Sequence, residues 1–201
     1  MKEYTIKRMT APSCWEQIDT LAIDVPYHNS PDVYASWAQI AYDDEALHVH
    51  LFCKEPATRA VENGLLGCPC EDCCLEFFFS PMEGDPRYFN IEFNRNGCLY
   101  LGFGSGLSTL IRLLPGEGGN LIEPVLRDRA DGWEIFYTVT YEFIRRFFPD
   151  FTVYPGKKIR ANCFKCADLT EPPHYFSWSP VTQDPFTYHK PECFGTMIFS
   201  E

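Results

Sequence analysis

Cys74-Leu75-Glu76-Phe77-Phe78-Phe79, the turn Ser80-Pro81-Met82-Glu83-Gly84-Asp85-Pro86, and Arg87-Tyr88-Phe89-Asn90-Ile91-Glu92-Phe93-Asn94 read as two strands joined by a turn-rich loop. Aromatic residues suit a pleated surface, and the prolines and glycine between the runs break it. The short connection predicts an antiparallel pair. In the second strand a period of two places Phe89, Ile91 and Phe93 on one face and Tyr88, Asn90, Glu92 and Asn94 on the other. In the first, Glu76 is out of phase with Leu75, Phe77 and Phe79 and so joins the polar face.

The same alternation extends outward. Leu47-His48-Val49-His50-Leu51-Phe52-Cys53 is a strand pattern, and others fall at 97–103, 121–127, 132–140, 159–166 and 195–199. Helical pattern is sparse, the best being 141–148, about two turns long and stopped by Pro149. Strands at this spacing predict an all-β fold, a sandwich of mainly antiparallel strands (jelly-roll or immunoglobulin-like) with one or two short helices. No repeat or linker divides the chain, and Pro115-Gly116-Glu117-Gly118-Gly119 reads as a loop tip, so 1–201 is expected to be a single domain.

Of 201 residues, 16% are aromatic, which favours strands over helices. A formal charge of −11 argues against nucleic acid or an anionic membrane surface as partner. No run of 18 apolar residues is present, and the start, Met-Lys-Glu-Tyr-Thr-Ile-Lys-Arg-Met, lacks the apolar segment of a signal peptide. The expectation is a cytoplasmic protein whose ten cysteines are reduced thiols.

Several groups bear on chemistry. Tyr88, Asn90, Glu92 and Asn94, with Glu76, present a phenol, amides and carboxylates in a row, which is either a ligand surface or an ordinary solvated sheet face. Glu76 and Glu92 also have the composition of a glycoside hydrolase pair. Cys-x-x-Cys occurs at 70–73 and 163–166, but the second lies in a strand, where residues three apart point to opposite faces and do not chelate one ion. His48 and His50 share a strand face and line it more readily than they bind metal, and Asp43-Asp44-Glu45 is an acidic turn without a calcium-loop pattern. Trp15, Trp37 and Trp133 sit among apolar neighbours and are assigned to the core, whereas Trp178 is flanked by Ser177, Ser179 and Pro180.

The tail adds Tyr188-His189-Lys190-Pro191-Glu192-Cys193-Phe194-Gly195. Rings beside polar groups and turns are what a sugar needs, because ring faces meet the apolar face of a pyranose and polar neighbours bond its hydroxyls. Taken in order, Asp72-Cys73-Cys74-Leu75-Glu76-Phe77-Phe78, the strand from Tyr88 to Asn94, residues 162–166, Ser177-Trp178-Ser179-Pro180 and the stretch from His189 to Gly195 resemble the family 9 carbohydrate-binding modules. They are most similar to the stand-alone bacterial members. Trp15, Ala41-Tyr42-Asp43 and the strand from Leu47 extend the resemblance over nearly the whole chain.

The resemblance implies a β-sandwich with a sugar site on one face, and bound calcium in xylanase-associated members. In those modules two tryptophans sandwich a sugar at the reducing end of a glucan or xylan. One of those positions falls at Cys68-Pro69-Cys70, which carries no ring; the other falls at Tyr188. A basic residue of those modules corresponds to Asn90. The expectation is therefore a non-catalytic protein that binds an oligosaccharide or glycan end. Trp178 and Tyr188 would be its rings, with Tyr88 or Phe186 as a replacement for the missing one, and Glu76, Asn90, Glu92, Asn94 and His189 its polar contacts. No cofactor is assigned; calcium is the ion the resemblance leaves open, and structural zinc is not expected. The alternatives are a glycosidase using Glu76 and Glu92, or a sandwich that has lost sugar binding and serves as an interaction protein.

Overall fold

The computed structural model describes every residue except 1, 11–13, 29, 32–33, 56–58 and 117–120. The first half of the chain forms β1 (Glu3–Arg8), β2 (Leu21–Ala22), β3 (Val25–Pro26), β4 (Ser36–Tyr42), β5 (Ala46–Cys53), β6 (Cys74–Ser80) and β7 (Tyr88–Asn94). The second half forms β8 (Leu99–Gly104), β9 (Ile111–Arg112), β10 (Val125–Arg129), β11 (Gly132–Thr140), α1 (Tyr141–Arg145), β12 (Lys158–Cys166), β13 (Phe176–Ser177) and β14 (Gly195–Phe199).

The strand order is β10-β11-β5-β4-β1-β14-β12-β6-β7-β8-β9, a mostly antiparallel sheet curled into a sandwich. β1 joins its two layers, pairing in parallel with β14 through Glu3–Ile6 and with β4 through Lys7 and Arg8. Between the layers lies the main core. One side contributes Leu75, Phe77, Phe79, Phe89, Ile91 and Phe93, and the other Ile40, Leu47, Val49, Leu51, Trp133 and Ile135. A fully buried phenylalanine contributes about 1.5–3 kcal/mol, so the β6–β7 pair anchors the layer.

The strand at 132–140 has the bounds read from the sequence, and the pattern at 121–127 becomes β10, beginning at Val125. The helix is shorter than 141–148. Thr140 caps its start, accepting a hydrogen bond from the Phe143 amide at 3.2 Å, and regular helix ends at Arg145.

A second, smaller apolar cluster covers the outer face of β6, β7 and β12. It joins Cys74, Phe78, Tyr88, Phe164 and Cys166 to Tyr27, Val181, Tyr188 and Phe194. The polar row predicted on that face is therefore roofed by chain and not solvated: Tyr88, Asn90, Glu92 and Asn94 are all buried.

Candidate functional site

Register builds the floor of the site. β6 and β7 pair with Glu76 directly opposite Glu92 and Cys74 opposite Asn94, while β12 brings Cys166 opposite Cys74 and Phe164 opposite Glu76. Directly paired residues have Cβ atoms about 4.5–5.5 Å apart, so two carboxyls and two thiols share one small area.

The walls come from two loops. Tyr27 tethers the segment around Phe186, its hydroxyl receiving the Thr187 amide at 2.9 Å and lying 3.1 Å from the Thr182 carbonyl. Lys190 Nζ donates to the Thr182 and Pro185 carbonyls, each at 2.6 Å. Between floor and walls is a cleft of about 160 Å³ lined by Tyr27, Cys70, Glu76, Phe78, Glu92, Cys166, Asp168, Tyr175, Phe186, Thr187, Tyr188 and His189. Among these residues there is no lysine or arginine.

Electrostatics follow from that lining. Burial first, and Glu92 second, push the Glu76 carboxyl well above the usual carboxylate range. Burial also raises Glu92, an effect that hydrogen bonding from Asn90 only partly offsets. Asp168 is raised by burial, against the pull of the Tyr175 hydroxyl and the Cys70 thiol. Burial lowers His189 to about 4, which leaves a neutral imidazole at neutral pH. Its Nδ1 lies 2.8 Å from the Tyr88 hydroxyl, and among the described residues Nε2 has no hydrogen-bond partner. The cleft thus offers protonated and neutral groups that both donate and accept, beside ring faces.

Of the residues singled out from sequence, Glu76, Glu92, Phe186, Tyr188 and His189 line the cleft. Four others do not. Trp178 belongs to the main core, edge-on to Tyr4 with ring centroids 6.4 Å apart. It covers Gly195 so closely that an added Cβ there would stand 2.5 Å from the indole. Its serine neighbours mark no surface, because Ser179 exchanges backbone bonds with the Asn162 side chain at 2.8 and 2.9 Å.

Asn94 is committed to the loops. Its amide donates to the Glu62 carbonyl and to Asp72, and its oxygen accepts from Asn96 and Cys98. Asp72 also holds Arg59 and the amides of Val61 and Glu62. Asn90 is wholly buried, donating to Glu92 at 2.9 Å, and Tyr88 is wholly buried behind His189.

Tyr188 is a wall and not an open platform. One face stacks on Phe164 at 4.1 Å, and its hydroxyl donates to the Lys165 carbonyl at 3.0 Å. The exposed ring is Phe186, stacked on Tyr27 at 5.1 Å and 46% accessible. Asp168, Tyr175, Tyr27 and Thr187 carried no sequence signal, since loops separate them from the strands they face.

The other proposed groups resolve simply. Trp133 is core, but Trp37 is half-buried on Phe52 beneath Lys54, and Trp15 is half-buried against His50. His48 bonds Asp43 at 2.7 Å while His50 spans Gln39 and Glu134, so the pair does not converge. Asp43 caps its own turn through the Glu45 and Ala46 amides. All ten cysteines are free thiols. Cys163 faces the main core and Cys166 the outer cluster, as their spacing in a strand requires. Among the described residues, Cys74, Glu76 and Cys166 place their ligand atoms within 4.8 Å of one another.

The sequence model of carbohydrate-binding family 9 matches residues 6–115 and 120–199. The chain belongs to carbohydrate-binding family 9. A Bacteroides uniformis ATCC 8492 protein, solved as a candidate carbohydrate-binding protein, is 27% identical, with 99% of each chain covered and a TM-score of 0.81. A family 9 module from Caldicellulosiruptor kristjanssonii, solved with cellotriose, is 9% identical at a TM-score of 0.69, covering 99% of this family 9 chain and 94% of the module. The same organism's module solved with glucose gives the same identity and TM-score, with 99% and 96% covered. No curated protein sequence matches the chain. At 9% identity the likeness is one of fold, and its β-sandwich is the one read from the sequence. Among the described residues no helix is long and apolar enough to cross a membrane.

Proposed function

We propose that the cleft between the β6–β7–β12 floor and the 184–190 loop binds one neutral sugar unit, free or at the end of an oligosaccharide, without transforming it. The observation that carries this reading is the lining itself. Phe186 and Tyr188 supply ring surface, while Glu76, Glu92, His189, Asp168 and Thr187 supply convergent polar groups. A volume of about 160 Å³ is room for about five waters at about 30 Å³ each, which suits one sugar unit better than a chain lying inside. Buried acids without a lysine or arginine in the lining disfavour uronates and other anionic sugars.

The family's described property and the cellotriose and glucose held by the Caldicellulosiruptor modules support the same class of ligand. A hydrolase needs one ionised carboxylate as nucleophile or base. Here burial raises both Glu76 and Glu92, so the pair is not split into one acid held protonated and one held ionised. The whole of 1–201 acts as the binding domain in this reading. The charge of −11 leaves nucleic acid and anionic membranes as poor partners, and ten free thiols suit a reducing compartment such as the cytoplasm.

The test is a panel of mono- and oligosaccharides against the purified protein, read as melting temperature and confirmed by calorimetry, with calcium and with chelator. A rise for one class of neutral sugar is expected, because a ligand of the native state stabilises it. A flat response at millimolar sugar would leave the fold serving as an interaction protein.

A further inference from the structure

The cleft floor carries a feature that sugar binding does not explain. Cys74 and Cys166 are direct cross-strand partners, and Glu76 lies two residues along β6 on the same face. Their two sulfurs and a carboxylate oxygen all lie within 4.8 Å of one another, and all three residues are buried. In tetrahedral coordination, ligands about 2.3 Å from the ion stand about 3.8 Å from each other. The donors are therefore within about 1 Å of the separations such an ion needs.

We infer that Cys74, Cys166 and Glu76 form a binding site for a thiophilic ion of the zinc type, with its fourth position open to the cleft. Three further observations support this. The donors are soft sulfurs with one carboxylate, which suits zinc and is foreign to calcium, an ion bound through oxygen. Glu76 and Glu92 bury two acids facing no lysine or arginine of the cleft lining, so the floor lacks the positive charge that an ion would bring. Glu76 and Cys166 also line the open cleft, which gives the ion an entry path.

Binding would displace the thiol protons of Cys74 and Cys166, and that of Glu76 where it is protonated. Zinc takes up the three ligands without any change of oxidation state. The ion would pin β6 to β12 and set its open position under the 184–190 loop. This is not the Cys-x-x-Cys arrangement that the sequence displays, since each Cys-x-x-Cys splits its two thiols between faces. Cys73 faces Glu55 while Cys70 lines the cleft.

Cobalt(II) is the probe, titrated into the reduced full-length protein without sugar, so the outcome is independent of the glycan panel. Saturable appearance of thiolate-to-cobalt charge transfer, with the intense visible bands of a tetrahedral site, is expected, reversed by one equivalent of zinc. Cys166→Ser leaves Cys74 as the one thiolate, so it should reduce the charge-transfer band and weaken binding by roughly 100-fold, and Glu76→Gln should keep the band but weaken binding roughly 10-fold. Cys68→Ser, which alters an exposed thiol elsewhere, should change nothing. A weak spectrum of hydrated cobalt in the wild-type protein would overturn the assignment, as would a band whose intensity and cobalt affinity are unchanged in Cys166→Ser, or one that vanishes in Cys68→Ser. Should Cys166→Ser fail to fold, the wild-type spectrum and Glu76→Gln still decide.

Discussion

Two buried ionisable clusters lie on opposite faces of the sheet at β12, and they are built in opposite ways. On the core side Lys165 Nζ meets Glu55 at 3.1 Å, His174 Nε2 lies 3.3 Å from the other Glu55 oxygen, and the Cys73 thiol donates to Glu55 at 3.0 Å. Burial would raise Glu55, yet Lys165 and then His174 outweigh it and bring the carboxyl down to about 2. Burial disfavours the Lys165 ammonium, and Glu55 more than restores it. On the cleft side Glu76 and Glu92 face each other with no lysine or arginine in the lining, and both are raised. A structural cluster is neutralised from within. A binding floor keeps its imbalance, which an incoming ligand or ion can relieve.

The largest break in this contrast is Lys165→Met. It keeps most of the side chain's length but leaves Glu55 with His174 and the Cys73 thiol and no permanent cation, and removing one partner of a buried pair costs about 3–5 kcal/mol. Denaturant unfolding should show that loss, and the double variant Lys165→Met/Glu55→Gln should recover part of it. A cost below about 1 kcal/mol would mean that the pair is not the organising contact of that end of the core.

The next effect is pH-dependent. Glu55 falls from a usual value of 4.5 to about 2, so its contribution, about 3 kcal/mol, is complete above pH 4.5 and disappears as pH drops toward 2. Stability measured from pH 6 down to pH 2 should therefore fall more steeply in the wild type than in Glu55→Gln. Parallel curves would remove Glu55 as the acid-sensitive group.

How far the sequence alone foretells this contrast depends on the distance along the chain. Glu76 opposite Glu92 is readable, because a period of two and a short turn fix both phase and partner within one hairpin. Cys166 beside Cys74, and Glu55 beside Lys165, are not readable. β12 reaches β6 only through the strand order of the sheet, and Glu55 lies just past the end of β5 in the other layer. Trp178 misleads for a different reason. Serine neighbours suggest a surface ring, but both are buried, and Ser179 is turned to Asn162 and the Cys193 carbonyl, while the indole packs on Tyr4. Asn94 misleads in the same manner, its amide having been taken up by the loop that follows Glu62. Local polarity predicts a hydrogen bond and not an exposed site.

Glu92→Gln sharpens the cleft side. A raised carboxyl binds its proton more tightly in the folded protein than in the unfolded chain, so it lowers stability as pH rises above the unfolded value and has no effect below it. The amide retains an oxygen to accept from Asn90 and carries no charge. The variant should match wild type near pH 4 and exceed it by about 3 kcal/mol at pH 8, read by urea unfolding at both pH values. The opposite sign at pH 8 would show that Glu92 is charged and well satisfied in the folded state.

The smallest effect on the fold is expected at Phe186, which divides with Tyr188 two roles that one ring would otherwise combine. Tyr188 is packed on Phe164 and bonded to the Lys165 carbonyl, so Tyr188→Ala should cost about 3–5 kcal/mol of stability and cannot report on sugar contact alone. Phe186 is half exposed at the rim and rests on Tyr27. Phe186→Ala should leave the unfolding midpoint nearly unchanged and weaken sugar binding by about 0.5–1.5 kcal/mol, or roughly twofold to twelvefold, by calorimetry. Equal affinity in that variant would move the stacking contact away from the 184–190 loop and onto Tyr175, the other partly exposed ring of the lining.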